Sequence, residues 1–404
     1  MERWQKNLYT LWVTQIISMI SFGLGFPFIP YYIQDLGVTD PSAIKIYTGI
    51  LSMAPAVTMA IMAPVWGYVA DKYGRKLMIL RAMFAAAIII GLMGMATNVY
   101  HLIILRFLQG IFTGTITAAS TFVASNTPKE KLSYALGFMS SSNFIGYSVG
   151  PIVGGIFAEH FGYRFSFLFG SAFMLVGFAI AWVVLVEDKS KIGIVKKQSQ
   201  SKKASLKEVF TPLIMWFLAV LLLHRVTRSV FAPYIPLFVQ SLLGTTKGAA
   251  QLTGFVNGAV GLATALSGII IGKMGDRRNK FNIICVLSLI GFIISLVIPF
   301  IGNIYVFIFV YGLMFFFIGG IEPLVTSTTA EHTEANKRGV LFGMQGLMGS
   351  IGWMLSPIFG TAISIKAGVD KILYFIPVVI LINGLIMLHI RNNYREKPIV
   401  ELEE

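Results

Sequence analysis

Long apolar runs, each followed by a short polar or charged stretch, recur from one end of the chain to the other. An apolar run of about 20 residues has the length of a helix that crosses a bilayer. Each run is predicted to be helical, because backbone N–H and C=O groups find no water partner in lipid. The pattern predicts twelve spans, at 8–30, 46–67, 77–96, 101–123, 134–158, 164–187, 211–240, 248–272, 281–301, 305–326, 339–363 and 371–390.

The composition indicates lipid rather than water as the solvent for these helices. Of the 404 residues, 56% are hydrophobic and only 12% are charged, whereas soluble proteins carry about 25% charged residues. A water-soluble core cannot hide so much apolar surface. The predicted fold class is therefore an all-α membrane protein with twelve transmembrane helices.

The second half of the chain repeats landmarks of the first half at a nearly constant offset of 205 or 206 positions. A fixed offset indicates a tandem duplication. It predicts two pseudo-symmetric six-helix bundles at 1–187 and 211–390, a linker at 188–210 and a tail at 391–404. The matched landmarks are Gly67 and Gly272, Asp71 and Asp276, 26–32 and 232–238, Gly137 and Gly343, and 150–154 and 356–360.

Positive charge is distributed unevenly between the two sides of the predicted membrane. The net charge is +14, and most of the 32 Lys and Arg residues lie in the terminal segments, the linker and alternate loops. The positive-inside rule therefore places both termini and the linker in the cytoplasm. No basic cluster lies on a predicted soluble domain, which argues against nucleic-acid binding. The opposite loops hold only Lys45, Arg164, Lys247, Lys366 and Lys371.

A basic, glycine-bearing loop joins the second and third predicted spans. Its glycines allow two helices to turn and pack closely. Asp71 can accept a hydrogen bond from the N-terminus of a neighbouring helix, where the helix dipole favours an anion. We expect a latch between the two halves, although the basic residues also act as topology determinants. The copy at 272–278 lacks the Gly-Arg-Lys ending, so a weaker latch is expected there. The candidate latch residues are Gly67, Asp71, Gly74, Arg75 and Lys76.

The fifth predicted span carries four glycines and a proline between positions 146 and 155. Small residues let membrane helices approach closely, and proline removes a backbone donor and bends the helix. We expect this helix to pack closely and to seal the interface between the halves when the protein faces outward. The second half has Ser356 in place of Gly150, so the two halves differ here. The motif residues are Gly146, Gly150, Pro151, Gly154 and Gly155.

Glu322 is the one acidic residue that lies firmly within a predicted span, between a Gly-Gly pair and Pro323. The helix is expected to be irregular at this point. An ionisable group in a membrane helix costs several kcal/mol unless it is paired or wet. A carboxylate that faces a cavity can bind a proton when desolvated and release it beside a cation. Glu322 is therefore predicted to carry the coupling proton; a structural ion pair is the alternative.

Arg225 and Arg228 lie one turn apart on the seventh predicted span and face one direction. Three interpretations stay open: they pair with Glu322, they form an anion pocket in a substrate cavity, or the helix begins later and leaves them wet. Other polar residues of the spans also qualify as cavity lining, although polar side chains equally hold membrane helices together. These residues are Gln15, Asn143, Asn257 and Gln345.

Four of these stretches together resemble a known family. The loop at 67–76, the R-x-x-Q-G stretch within 105–110, the helix motif at 146–155 and the first-helix stretch at 25–30 are similar to motifs of the major facilitator superfamily, in its twelve-helix drug:proton antiporter branch. The resemblance covers the whole chain. It implies a bacterial plasma-membrane exporter of small organic molecules in exchange for protons. Arg106 matches the arginine of the family's fourth helix, which implies assistance in proton transfer; snorkelling to the interface is the alternative.

The sequence gives little support to other classes of function. It has one cysteine, no zinc spacing, no phosphate-binding loop and no nucleophile–base pair, so no metal, cofactor or catalytic residue is predicted. The expected function is proton-driven efflux by a monomer, with small-molecule substrate, protons and lipid as partners. The alternatives are export of a specific anionic metabolite, siderophore or lipid, and a membrane sensor that transports nothing.

Overall fold

The computed structural model of the chain describes residues 2–128, 131–187, 211–275, 277–334 and 337–394, and contains helices and no strands over this part of the chain. Asp71, Ser133 and Gly339 are described by their backbone only. The predicted linker at 188–210, Asp276 and the predicted tail beyond Tyr394 lie outside the described residues. The all-α fold class is confirmed.

Sixteen α-helices form over the described residues. Each predicted span falls on one of these helices or on two consecutive ones. In the first half of the chain they are α1 (Arg3–Gly25), α2 (Ile29–Asp35), α3 (Pro41–Tyr73), α4 (Arg75–Gly94), α5 (Val99–Phe112), α6 (Thr115–Asn126), α7 (Leu132–Phe161) and α8 (Tyr163–Val184). In the second half they are α9 (Pro212–Ser229), α10 (Ile235–Leu243), α11 (Ala249–Gly275), α12 (Lys280–Val297), α13 (Ile304–Gly319), α14 (Ile321–Glu331), α15 (Arg338–Ala367) and α16 (Ile372–Asn393).

The helices have the length and surface of membrane spans. Within the described residues, eleven helical segments are long and apolar enough to cross a bilayer. The long helix that is not among them is α7, whose 30 residues include Ser148 and the four glycines of the 146–155 motif. Large apolar side chains stand on the outside, with Val183 79%, Phe300 76% and Phe309 69% exposed. Such a surface suits contact with lipid.

The chain forms two compact units. The first contains α1 to α8, α10 and the part of α11 up to Gly261; the second contains α9, the rest of α11 from Leu262, and α12 to α16. In the first unit α1 packs on α7 and α8, and α4 packs on α8. In the second unit α9 packs on α15, and α12 packs on α16.

Two pairs of spans are broken at equivalent positions of the repeat. A 3-10 turn with Pro27 separates α1 from α2, and a turn with Pro233 separates α9 from α10. Gly114, with a φ of +114°, separates α5 from α6, and Gly320 separates α13 from α14. Both pairs are 206 positions apart. The irregular helix expected near Glu322 is therefore present, whereas the break at Gly114 was not predicted.

Candidate functional site

Glu322 lies in the first turn of α14, directly after the helix break. The break is tight, because a Cβ placed on Gly320 would stand 2.6 Å from Cγ2 of Ile271 on α11. Pro323 also falls in this first turn, where a missing N–H breaks no helical bond. A carboxylate at a helix N-terminus is stabilised by the positive end of the helix dipole. The local sequence thus places the Glu322 carboxylate at the positive end of the α14 dipole.

Both arginines of α9 donate to Glu322. Arg225 donates from Nη2 to Oε1, and Arg228 donates from Nη1 to Oε2 at 3.2 Å. The side chains of Arg225, Arg228 and Glu322 are 42%, 23% and 24% exposed, respectively. The sequence left three interpretations of Arg225 and Arg228 open, and the structure shows the one in which they pair with Glu322. These three residues are called the triad below.

Two glycines of α15 lie beside Arg225, and one of them makes room for it. A Cβ on Gly352 would stand 2.7 Å from Cβ of Arg225, whereas a Cβ on Gly349 would stand 3.6 Å from its Nε, an ordinary contact distance. Close approach at a glycine is a common way to pack membrane helices. The glycine pair could have been noticed in the sequence, but its partner helix could not.

Arg225 and Glu322 of the triad border a cavity of about 180 Å³ within the second unit. Gln345 lies in its wall and donates from Nε2 to Oγ1 of Thr329. This volume holds a few water molecules or one end of a ligand, and is smaller than a site that encloses a drug-sized molecule. Glu322 therefore borders a cavity whose wall also contains the polar side chains of Arg225, Thr326 and Gln345. The wall residues are Leu221, Arg225, Glu322, Thr326, Phe342, Gln345, Gly346 and Gly349.

Arg106 belongs to a different site, within the first unit. It is 9% exposed, donates from Nε to the carbonyl of Leu51 at 2.6 Å, and donates from Nη1 to Oε1 of Gln109 at 2.7 Å. The Leu51 carbonyl has no helical donor, because the residue four positions later is Pro55, inside α3. Arg106 therefore supplies the hydrogen bond that the proline removes. Its guanidinium also lies over the ring of Phe26, 4.7 Å from the centroid.

The other polar residues predicted to line a cavity have partners in their own unit. Gln15 of α1 donates to Asn143 of α7 at 3.1 Å. Asn257 donates to the carbonyl of Thr253, one turn earlier on its own helix, at 2.9 Å. The structure thus brings Gln15 and Asn143 together, and separately places Gln345 beside the triad.

The basic loop at 67–76 is organised by an acid that the sequence interpretation missed. Gly74 has a φ of +98° and separates α3 from α4. Glu187 accepts from the backbone N–H groups of Arg75 at 2.7 Å and Lys76 at 2.9 Å, which are the first residues of α4. Gly67 is exposed, and a Cβ there would meet no described atom within 4 Å. The side chain of Asp71 lies outside the described residues.

The glycines of α7 form one face against α1. A Cβ on Gly154 would stand 2.6 Å from the carbonyl oxygen of Gly23, and a Cβ on Gly150 would stand 3.1 Å from its Cα. A Cβ on Gly146 would overlap Met19. These positions are four residues apart and share one side of the helix, so any larger residue would push α1 away.

A second face of α7 meets glycines of α11. A Cβ on Gly155 would stand 2.6 Å from the carbonyl oxygen of Ala250, and a Cβ on Gly254 would overlap that of Pro151. The motif therefore joins a helix from the first half of the sequence to a helix from the second half. The glycines on α11 were not singled out from the sequence, because their spacing alone does not say which helix they face.

Hydrogen bonds accompany this α7–α11 contact. Glu159, near the end of α7, accepts from the N–H of Gly248, just before α11, at 2.6 Å. Tyr31 donates to the carbonyl of Pro236 at 2.6 Å. Gln34 and Gln240 exchange side-chain hydrogen bonds of 3.0 and 3.1 Å, and they are equivalent positions of the repeat.

The described residues contain no group of three or more His, Cys, Asp and Glu side chains that could hold a metal ion. What remains is a set of polar contacts inside helices of membrane-spanning length. A comparison with protein families identifies the kind of membrane protein. The chain matches the profile of the Major Facilitator Superfamily over residues 11–357 and again over 284–403. The chain belongs to the major facilitator superfamily.

Curated relatives within this superfamily include drug exporters. The chain is 28% identical over 383 residues to the multidrug resistance protein MdtG of Salmonella arizonae, covering 95% of this chain and 94% of the relative. It is 30% identical over 362 residues to the multi-drug resistance efflux pump PmrA homolog of Lactococcus lactis subsp. lactis, covering 89% of both chains. The family resemblance read from the motifs is confirmed. The protein is a membrane transporter rather than an enzyme.

Solved structures show the same fold. A bacterial homologue of the human lysosomal transporter Spinster, inward-facing and occupied, matches with a TM-score of 0.79 and 13% identity over 98% of each chain. The human organic anion transporter MFSD10 matches with a TM-score of 0.71 and 13% identity, over 96% of this chain and all of its own chain. At this identity the comparison establishes the major facilitator fold and nothing about cargo.

Proposed function

We propose that this chain is a drug:proton antiporter, which exports small organic or amphiphilic compounds by alternating access. The observation that carries the proposal is the triad, a carboxylate held by two arginines inside apolar helices and bordering a polar cavity. Ionisable groups at such positions are costly and mark ion or substrate pathways. The proton gradient supplies the energy, and no cofactor is required.

The charge of the triad sets the direction of coupling. With Glu322 ionised, the triad carries a net charge of +1, because one of the two guanidinium charges is neutralised. A proton on Glu322 raises this net charge to +2, so a cationic cargo is repelled more strongly. Protonation from outside therefore accompanies cargo release, and loss of the proton to the cytoplasm restores binding. This order of events is antiport.

Export of an anionic metabolite, siderophore or lipid is the second candidate, because Arg225 and Arg228 can bind an anion. The same charges couple the movement of an anionic cargo to that of protons in a different way. An anion reaches the arginines when Glu322 is protonated and has released them, so the proton and the anion move in the same direction. Export of the anion would then be driven by its own outward gradient and not by the inward proton gradient. The direction of acidic compounds in a pH gradient therefore separates the two candidates.

The remaining contacts support alternating access. The close contact of Gly154, Gly155 and Pro151 with α1 and α11 serves as the extracellular seal, and the loop at 67–76 serves as the cytoplasmic latch. Arg106 acts as a positioning residue that holds α3 against α5. We place the protein in the bacterial plasma membrane as a monomer of two six-helix bundles, with both termini and the 188–210 linker in the cytoplasm.

The test uses purified protein in lipid vesicles with an acidic lumen and a neutral exterior. Inverted molecules should accumulate cationic or neutral cargo in the lumen, whereas Glu322→Gln should accumulate none above the passive level. Glu334→Gln is the matched control, because Glu334 is 67% exposed and pairs only at the surface with Lys337. Gradient-driven accumulation by Glu322→Gln at the wild-type level would overturn the proton role. Failure of the wild type to move any compound would favour a sensor.

A further inference from the structure

A large apolar groove lies on the second unit, away from the triad. Its volume is about 380 Å³, twice that of the cavity beside Glu322. The wall is built by α11, α12 and α13, and its side chains there are apolar. The residues used below are Met274, Ile283, Leu287, Ile290, Phe316 and Phe317. Positions 283, 287 and 290 follow one face of α12, so the groove runs along the helix for about two turns.

One end of the groove is polar and cationic. Arg278, Asn279 and Asn282 line this end, where α12 begins. Asn279 caps α12 by accepting from the N–H of Asn282 at 2.8 Å, and all three side chains are exposed. The loop from 273 to 280 carries four basic residues, and the positive-inside rule places it on the cytoplasmic side.

We propose that this groove binds one anionic phospholipid of the cytoplasmic leaflet, with its phosphate at Arg278 and an acyl chain along Ile283, Leu287 and Phe317. The groove has the polarity that a phospholipid requires at both ends. Its apolar wall can pack against an acyl chain, and its cationic end can bind a phosphate at the depth of the lipid headgroups. Basic pockets between membrane helices on the cytoplasmic side suit anionic headgroups. A lipophilic cation is repelled by Arg278, and a water-soluble anion gains nothing from the wall.

The groove touches the helix break that positions Glu322. Ile271 lines the groove, and it is also the residue against which Gly320 packs. A lipid chain in the groove therefore supports the side of Ile271 that faces away from Gly320. This site is distinct from the proposed transport site, and its test does not depend on transport.

The test counts lipids that stay bound to the purified protein in native mass spectrometry, with phosphatidylglycerol and phosphatidylcholine as probes. The wild type should retain one phosphatidylglycerol in preference to phosphatidylcholine. Arg278→Gln should lower that preference by about fivefold, the effect of roughly 1 kcal/mol for one basic residue at an anionic surface. Arg277→Gln, the neighbouring residue that does not line the groove, should lower it far less.

A second variant tests the apolar wall. Leu287→Trp fills the groove and should abolish retention of the lipid, while thermal unfolding in detergent confirms that the variant is folded. Equal effects of Arg277→Gln and Arg278→Gln would show a general attraction of the loop and overturn the site. So would retention of both lipids to the same extent by the wild type.

Discussion

Arg106 in the first unit and the Arg225–Arg228 pair in the second unit all lie within membrane-spanning helices, but different groups neutralise them. Arg106 donates to a carbonyl and an amide oxygen, which are neutral and do not titrate. Arg225 and Arg228 donate to a carboxylate, which can accept a proton. Under the proposed mechanism, a proton therefore reorganises the second site but not the first. An arginine in a membrane helix indicates a proton pathway only when its partner can accept the proton.

The largest expected effect in this comparison comes from removing both arginines of the triad. Arg225→Met combined with Arg228→Met leaves Glu322 in apolar helices without a cation, which favours its neutral form. Gradient-driven transport in vesicles should fall at least tenfold. The double variant of two exposed residues, Lys247→Met with Lys366→Met, controls for the loss of two charges. Transport that survives in the triad variant would show that the arginines do not set the proton affinity of Glu322.

Arg106→Met should weaken the fold rather than uncouple transport. It leaves the Leu51 carbonyl and the Gln109 amide without a donor, at a cost of about 1–3 kcal/mol per unsatisfied group. Thermal unfolding in detergent measures the loss. Pro55→Ala in the same molecule returns an N–H to the Leu51 carbonyl within α3, so the double variant should recover part of the stability.

The same double variant tests the positioning role. If Arg106→Met with Pro55→Ala is stable and still couples cargo to protons, Arg106 acts through α3 and α5. If the protein is stable but uncoupled, Arg106 handles the proton directly, as the family resemblance implies.

The smallest effects should come from lysine substitutions, which keep charge and remove the planar guanidinium. Arg225→Lys should slow coupled transport only about two- to fivefold, because a point charge still neutralises Glu322. Arg106→Lys should cost more stability than Arg225→Lys, since an ammonium group does not reproduce a fork aimed at both Leu51 and Gln109. Unfolding temperatures of the two variants compare these costs, and a reversed order would contradict the account.

The helices and the two candidate sites differ in how far the sequence alone could predict them. Twelve spans follow from apolar length, and Glu322 stands out because a carboxylate is rare in an apolar run. The i, i+3 spacing of Arg225 and Arg228 allowed their pairing with it, but not a choice among three possibilities. That choice depends on the contact of α9 with α14, which the sequence does not specify.

The partner of Arg106 could have been anticipated only in part. Pro55 signals that the carbonyl four residues earlier lacks a donor, but nothing in the sequence says that α5 supplies it. The contact of Gly155 with α11 was missed for a similar reason, since it depends on which two helices meet. The helix break at Gly114 could have been predicted, because Gly114 aligns with Gly320 at the repeat offset of 206 positions.

The most direct test records proton movement during cargo movement. Vesicles with a trapped pH indicator and no imposed pH gradient receive an outward or inward cargo gradient. The wild type and the Arg106→Met, Pro55→Ala double variant should move protons against the cargo. Glu322→Gln should exchange cargo between the two sides without any change in lumen pH. Proton movement by Glu322→Gln equal to that of the wild type would contradict the assignment of Glu322 as the proton carrier.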